Sequence, residues 1–356
     1  MERFQKIQSL EERSDIILTE LKDEKKIYIR ADMNEVIATG HVMRCLAIAD
    51  AARNKGVETV FISADEKPVA LISERGYTCD VLHTEWNNMD EELPVISKYI
   101  RNNHVKNLLV DSYQVTVNYL ESLQKLSKVS YIEDIGKFKY NVEHIICYAN
   151  YYEKFGFDNH SGKNLLGCEY VPLRQEFTSE YNKNISKETG SVLLVSGGTD
   201  PYGILDKLSE VLTDRKYNKI IIICGRFYEG MEALKERYIN DERVSVYKSV
   251  DNLIDYMKEA DLVISAGGTT LYELCCMGVP TITFSIADNQ YDNVNKFNED
   301  GLMMYSGDVR YDDVPKKGSK LLDIYDDQKF RLNISEKMKK MVDGKGAARI
   351  VDAIMD

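Results

Sequence analysis

The feature that most constrains this chain is a regular exchange of short, β-rich apolar runs with amphipathic helical stretches. In the first half Ile27–Ala31, Thr59–Ala64, Asn107–Asp111, Val129–Ile135 and His144–Ala149 read as strands. Between them the apolar residues fall at helical spacing, as Val42, Cys45, Leu46, Ile48, Ala49 and Ala52 do within His41–Asn54. A polar stretch, Glu176–Gly190, then reads as an interdomain linker. Beyond it the pattern restarts with Ser191–Ser196, Lys219–Cys224, Val244–Tyr247, Asp261–Ser265, Thr281–Ser285 and Leu302–Tyr305, and Asp327–Asp356 is helical in pattern. Alternation of this kind predicts parallel sheets covered by helices on both faces. At 356 residues the chain exceeds one typical core. The expectation is therefore α/β: a helical extension over 1–25, Rossmann-like parallel-sheet domains over 26–180 and 190–330, and a C-terminal helix over 331–356.

Composition narrows the partners. A net charge of −12 argues against a nucleic-acid or anionic-membrane surface, which needs an excess of Lys and Arg. An anionic small molecule is compatible with it, because helix N-termini hold phosphate without a basic surface. The seven cysteines contain no CxxC pair and read as buried, reduced thiols of a cytosolic protein. The opening MERFQKIQSLEERSD lacks the apolar core of a signal peptide, and no apolar run approaches the ~18 residues of a membrane span. A cytoplasmic location without membrane insertion is expected.

Ligands of open parallel sheets bind at the strands' carboxyl ends. Three glycine-bearing turns fall there: Asp32–His41, Ser196-Gly197-Gly198-Thr199-Asp200, and Ser265-Ala266-Gly267-Gly268-Thr269-Thr270. None is a Walker A loop and none matches GxGxxG, which disfavours an ATPase or a nicotinamide enzyme. No cofactor is expected. Taken singly, each glycine pair is what any tight strand-to-helix turn requires. Two such pairs in corresponding places, each with adjacent hydroxyls, point to phosphate. Glu273, one turn into the following helix, is placed to accept ribose hydroxyls, although an ordinary helix acid would look the same. Asp288-Asn289-Gln290 offers donors and acceptors to a sugar, as loop polar residues also do.

His41 is one of five histidines; His83, His104, His144 and His160 have no ligand-like spacing, so no metal site is expected. A lone histidine is more often structural than catalytic. This one opens a helix directly after a glycine turn at the end of the first strand, where an imidazole (ordinary pKa ~6.5) can take a proton near neutral pH.

These segments together resemble the UDP-sugar hydrolases of pseudaminic acid biosynthesis, which act on UDP-2,4-diacetamido-2,4,6-trideoxy-β-L-altropyranose. The resemblance rests on Arg30-Ala-Asp32, Ala38-Thr-Gly40-His41-Val-Met-Arg44, Asp111-Ser-Tyr113, Leu166 to Phe177 (with Tyr170 and Arg174), Ser196 to Asp200, Ser265 to Glu273, and Asp288-Asn289-Gln290. It spans roughly residues 26–310 and extends more distantly to the N-acetylglucosaminyltransferase that makes the peptidoglycan lipid precursor. The resemblance implies a GT-B architecture, two Rossmann-like domains facing across a cleft, with UDP on the C-terminal domain and the last helix crossing back to the first. It implies that His41 activates the attacking water and that Tyr113 lines the reacting side. Gly197, Gly198, Gly268, Thr269 and Glu273 would contact diphosphate and ribose. Asn289 and Gln290 would contact the sugar, with Arg30, Asp32, Gly40, Arg44, Asp111, Tyr170, Arg174 and Thr199 as further substrate-binding positions. The chain departs from the pattern at Ala38, where a second glycine is usual, and in the extension over 1–25.

The activity so implied is metal-independent, inverting displacement of UDP by water. The main alternative is a glycosyltransferase of the same fold in which His41 deprotonates an acceptor hydroxyl. A non-catalytic nucleotide-sugar binding module and a nucleotide-sugar 2-epimerase are further alternatives.

Overall fold

In the computed structural model, residues 25–136, 139–157, 160–178, 181–197, 200–225, 228–250 and 252–356 are described. The proposed extension over 1–25 therefore falls, apart from Lys25, outside the described residues. The chain divides into two compact units.

The first unit comprises the described residues up to Gln175 together with Lys345–Asp356. Its sheet has strands β1 (Lys26–Ala31), β2 (Glu58–Ser63), β3 (Thr78–Val81), β4 (Asn107–Asp111), β5 (Lys128–Ile132), β6 (His144–Cys147) and β7 (Lys163–Leu166). All pairings are parallel, in the order β3-β2-β1-β4-β5-β6-β7. Helices α1 (Gly40–Asn54), α2 (Val69–Glu74), α3 (Met89–Asn102) and α4 (Val117–Gln124) make the crossovers. The central strands are buried along almost their whole length and mostly apolar, because both faces are covered. Helix α1 buries His41, Val42, Cys45, Leu46 and Ala49, so the stripe that packs on the sheet also carries the histidine inward.

The second unit, Glu176–Gly344, repeats the plan. Strands β8 (Ser191–Val195), β9 (Lys219–Cys224), β10 (Val244–Lys248), β11 (Leu262–Ala266), β12 (Thr281–Ser285) and β13 (Met304–Asp308) form a parallel sheet in the order β10-β9-β8-β11-β12-β13. Its helices are α5 (Ile204–Thr213), α6 (Met231–Arg237), α7 (Leu253–Glu259), α8 (Thr270–Met277), α9 (Asp288–Glu299), α10 (Val314–Tyr325) and α11 (Gln328–Met341). Helix α12 (Gly346–Met355) follows and packs on α1 of the first unit.

Three expectations change. Strands β3 and β7 were not legible in the sequence; both are short edge strands with partly exposed residues, which breaks the apolar run. The single C-terminal helix expected over 331–356 is two helices. Gly344 breaks it at φ +75°, where an added Cβ would lie 2.3 Å from the Phe177 carbonyl oxygen, and only α12 joins the first unit. The described residues of the stretch read as a linker, Glu176–Gly190, belong to the second unit and pack within it. Phe177 and Ile185 are buried, and the enclosed Arg331 donates to the carbonyls of Ser186 and Lys187.

Candidate active site

In each sheet the chain leaves one central strand in one direction and the next crossover in the other, which opens a crevice at the strands' carboxyl ends. In the first sheet this switch point lies between β1 and β4, which pair as far as Ala31 and Asp111. His41 reaches it from α1, and Asp111 ends β4. Topology thus joins two side chains 70 residues apart: His41 Nδ1 lies 2.7 Å from Asp111 Oδ1. Both are buried, His41 being only 5% exposed.

Asp111 is the hub. Arg44, one turn along α1 from His41, grips it bidentately, with Nε donating to Oδ2 at 2.6 Å and Nη2 to Oδ1 at 2.5 Å. The Cys45 thiol donates to Oδ2 at 3.4 Å. Burial alone would raise the Asp111 pKa. The Arg44 charge, the imidazole and their hydrogen bonds outweigh it and hold the carboxyl well below the usual carboxylate range. An ionised Asp111 can only accept, so His41 Nδ1 carries the proton and donates it. That leaves Nε2 as the acceptor, the tautomer a base requires. Arg44 Nη2 also lies 3.1 Å from Nδ1, and in this tautomer both nitrogens direct their protons to the shared carboxylate.

Arg44 continues to Asp134, two residues beyond β5, with Nη1 donating to Oδ2 at 2.5 Å, and to the Tyr148 hydroxyl at 2.6 Å. Tyr113 stands edge-on to His41, ring centroids 4.5 Å apart, and donates its hydroxyl to Asp134 at 3.2 Å. Burial first, and then the Asp134 charge, raise the Tyr113 pKa far above its ordinary value, so its phenol keeps its proton. Tyr113 is thus a neutral wall of the site.

Arg30 and Asp32 have a different place from the ligand-contacting one expected. Arg30 is fully enclosed, with Nη1 donating to Asp32 Oδ2 at 2.6 Å, and Nε and Nη2 to Glu92 at 2.9 and 2.7 Å. Asp32 also accepts from the Ala64 amide. They brace the ends of β1 and β2 beneath the crevice. Asp111, expected to bind substrate, is likewise a buried support for His41. Gly40 is exposed, and a Cβ there would meet nothing within 4 Å. Tyr170 and Arg174 are half-buried beyond β7, at the sheet edge rather than at the switch point.

The turn before His41 explains the departure at Ala38. This residue adopts φ +54°, in the left-handed region that glycine occupies without cost. Alanine keeps the same path under strain.

The second unit has its crevice between β8 and β11, and there lies a pocket of about 470 Å³. Ser196 and Gly197 after β8, Cys224 and Gly225 after β9, Ser265, Ala266 and Gly268 at β11, and Ile286 after β12 contribute to its walls. Gly197 takes φ +88°; added Cβ atoms at Gly197 and Gly268 would meet nothing within 4 Å, so both glycines leave open space beside the backbone. Gly267 differs, since its Cβ would come 2.4 Å from Val294 Cγ1: this glycine serves packing. Thr269 and Gln290 line the pocket, and Gln290 Oε1 accepts from the Ile286 amide. Glu273 is half-buried on α8, and Asn289 is exposed at the start of α9; neither is a lining residue. Gly198 and Thr199 lie outside the described residues.

Sequence reasoning missed Asp134 and Tyr148 in the first crevice, and Cys224, Ser249, Val250 and Leu253 in the second. None sits in a glycine motif. Asp134 and Tyr148 do share one readable signal, being polar residues just beyond the carboxyl end of a strand. Among the described residues no cluster of His, Cys, Asp and Glu could hold a metal ion, and no helix is long and apolar enough to cross a membrane.

The comparisons with known proteins agree with this architecture. Residues 192–353 match the glycosyltransferase family 28 C-terminal domain. An uncharacterized protein of Methanocaldococcus jannaschii is 28% identical over 274 residues, covering 72% of this chain and 55% of the relative. The spore coat polysaccharide biosynthesis protein SpsG of Bacillus subtilis is 25% identical, over 53% of this chain and 57% of its own. The match thus spans little more than half the length of these relatives. The UDP-N-acetylglucosamine–N-acetylmuramyl-(pentapeptide) pyrophosphoryl-undecaprenol N-acetylglucosamine transferase of Helicobacter pylori is 31% identical over 149 residues, 39% of this chain and 42% of the enzyme. Among solved structures, Acinetobacter baumannii MurG superposes with a TM-score of 0.70 at 14% identity, covering 93% of this chain and 99% of that one. The fold is GT-B: two Rossmann-like parallel-sheet units, as in such glycosyltransferases.

Proposed function

We propose that the chain is a nucleotide-sugar enzyme that displaces UDP from an anomeric carbon, with His41 as the base for the incoming hydroxyl. The observation that carries this reading is the His41–Asp111 pair. An ionised carboxylate holds Nδ1–H and leaves Nε2 to take a proton. The second unit's pocket takes the nucleotide. Backbone amides at Gly197 and Thr269, the latter at the start of α8, meet the charge that grows on the departing diphosphate. With UDP as leaving group there is little need of a general acid, so one base suffices where glycosidases use two carboxylates.

The relatives favour a sugar acceptor, hence a glycosyltransferase: the family model and the Helicobacter pylori transferase both carry that activity in their names. Hydrolysis is the second reading, with a UDP-2,4-diacetamido-2,4,6-trideoxy sugar as substrate. It is favoured by the near-complete burial of His41, which gives a bulky acceptor little approach to the imidazole. The test is NMR of the purified protein with a panel of UDP-2,4-diamino sugars and UDP-N-acetylglucosamine, with and without a sugar acceptor. UDP and free sugar without acceptor support hydrolysis, and UDP release only with acceptor supports transfer. Turnover in neither condition counts against the whole reading.

A further inference from the structure

Asp134 sits in no sequence motif, yet it closes the hydrogen-bond chain of the first crevice. It lies just past the end of β5, its side chain is 14% exposed, and its Oδ2 collects two donors, Arg44 Nη1 and the Tyr113 hydroxyl. Its Oδ1 is buried and has no partner among the described residues. Because the carboxylate takes the only proton Tyr113 can give, the phenol oxygen has lone pairs left and nothing to donate. Tyr113 is 36% exposed and packed against the imidazole, so what it offers the crevice is an acceptor.

We propose that Asp134 is a positioning residue that fixes Tyr113 as a hydrogen-bond acceptor beside His41, so that the crevice presents two acceptors, Tyr113 Oη and His41 Nε2. This rests on the reading of His41 as the base. The arrangement selects a nucleophile with two protons to give. Water can donate to both groups, whereas an acceptor alcohol has one O–H and satisfies only one of them. Asp134 thereby acts on the choice between hydrolysis and transfer, the point on which the two readings of this site divide. It also balances the charge of Arg44, which otherwise faces His41 with Asp111 alone against it.

The test compares Asp134→Asn, Tyr113→Phe and the double variant with wild type. UDP release from the same donor panel is followed with and without acceptor, and UDP affinity by calorimetry. The one oxygen of asparagine must take Arg44 Nη1, as Oδ2 does, and as a neutral acceptor it holds the Tyr113 proton less firmly than the carboxylate. Asp134→Asn is therefore expected to lower turnover without acceptor roughly tenfold or more while UDP affinity stays within about twofold. The Tyr113→Phe background should absorb most of that loss, because the device acts through Tyr113. Imidazole ¹⁵N shifts of ¹⁵N-histidine-labelled Asp134→Asn should keep His41 protonated at Nδ1, which separates lost positioning from a collapsed site. If Asp134→Asn does not fold, Asp134→Glu, which keeps charge and acceptors, takes its place and should retain most of the activity. Undiminished turnover in Asp134→Asn, or losses that simply multiply in the double variant, overturns the proposal while leaving His41 as base. Wild-type protein inert toward every donor overturns both. Wild-type UDP release only with acceptor overturns the selection of water and leaves the nucleotide-sugar reading in place.

Discussion

The two crevices occupy the same place in two sheets of the same winding, yet they are built from opposite materials. The first is packed and charged: His41, Asp111, Arg44 and Asp134 form a largely buried chain of ion pairs and hydrogen bonds. The second is open, with glycines that leave space beside the backbone and a pocket of about 470 Å³, a volume suited to a small-molecule ligand. Buried charge holds a proton-accepting group in one tautomer, and it costs too much to serve merely as ligand-facing surface. Bare backbone turns hold an anion through amides and need no charge of their own. On the proposed reading, one topology supports a reacting site and a binding site, and the side chains at the strand ends decide which is which.

The strongest way to break this contrast is at His41. Substitution to alanine is expected to lower turnover roughly 10²–10⁴-fold. Calorimetry with UDP should meanwhile return the wild-type affinity within about twofold, since the pocket proposed to take UDP is lined by residues of the second unit. A parallel loss of UDP binding would erase the division of labour.

Asp111→Asn should come close behind, with a loss of about 10²–10³-fold from the wrong tautomer. It also leaves Arg44 short of a counter-charge, at a cost of about 3 kcal/mol in chemical denaturation at pH 7. The Asp111 carboxyl is depressed in the folded state, so its contribution is complete above its unfolded value of ~3.9 and is lost as pH falls through the lower folded value. Wild type and Asp111→Asn should therefore converge in strong acid. A gap that stays the same or widens into strong acid would mean that the carboxyl is not depressed.

Adjacent glycines of the second crevice sharpen the comparison. Gly268→Val projects into open space and should weaken UDP binding about tenfold or more with little change in melting temperature. Gly267→Ala drives a methyl into Val294 and should cost about 1–3 kcal/mol of stability. Equal effects of the two on folding would remove the distinction between a ligand-facing and a packing glycine. The smallest expected effect is at Ala38→Gly, which relieves the φ +54° strain and should stabilise by about 1 kcal/mol, read as a shift of the denaturation midpoint.

Most of the fold was legible because parallel strands buried on both faces read as unbroken apolar runs; β4, β9 and β12 stand where the sequence places them. The edge strands β3 and β7 were not, since exposure mixes polar residues into them. The break at Gly344 was hidden because nothing local announces the approach of the Phe177 carbonyl. At the site, position alone marked His41, Gly197 and Gly268. The burial of Arg30 and Asp111 against other charges was not legible, because a charged residue at a strand end looks the same whether it faces a ligand or lies buried against another charge. Asp134 escaped because its meaning comes from Arg44 and Tyr113, 90 and 21 residues away in sequence.

The most direct test of displacement at the anomeric carbon uses a UDP-sugar donor whose bridging C1–O–P oxygen is ¹⁸O, with isotope-shifted ³¹P NMR of the released nucleotide. The account predicts that all label departs with the β-phosphate of UDP, whether water or a sugar hydroxyl attacks, and that this turnover disappears with His41→Ala. Label retained on the sugar would place the break at P–O and contradict it.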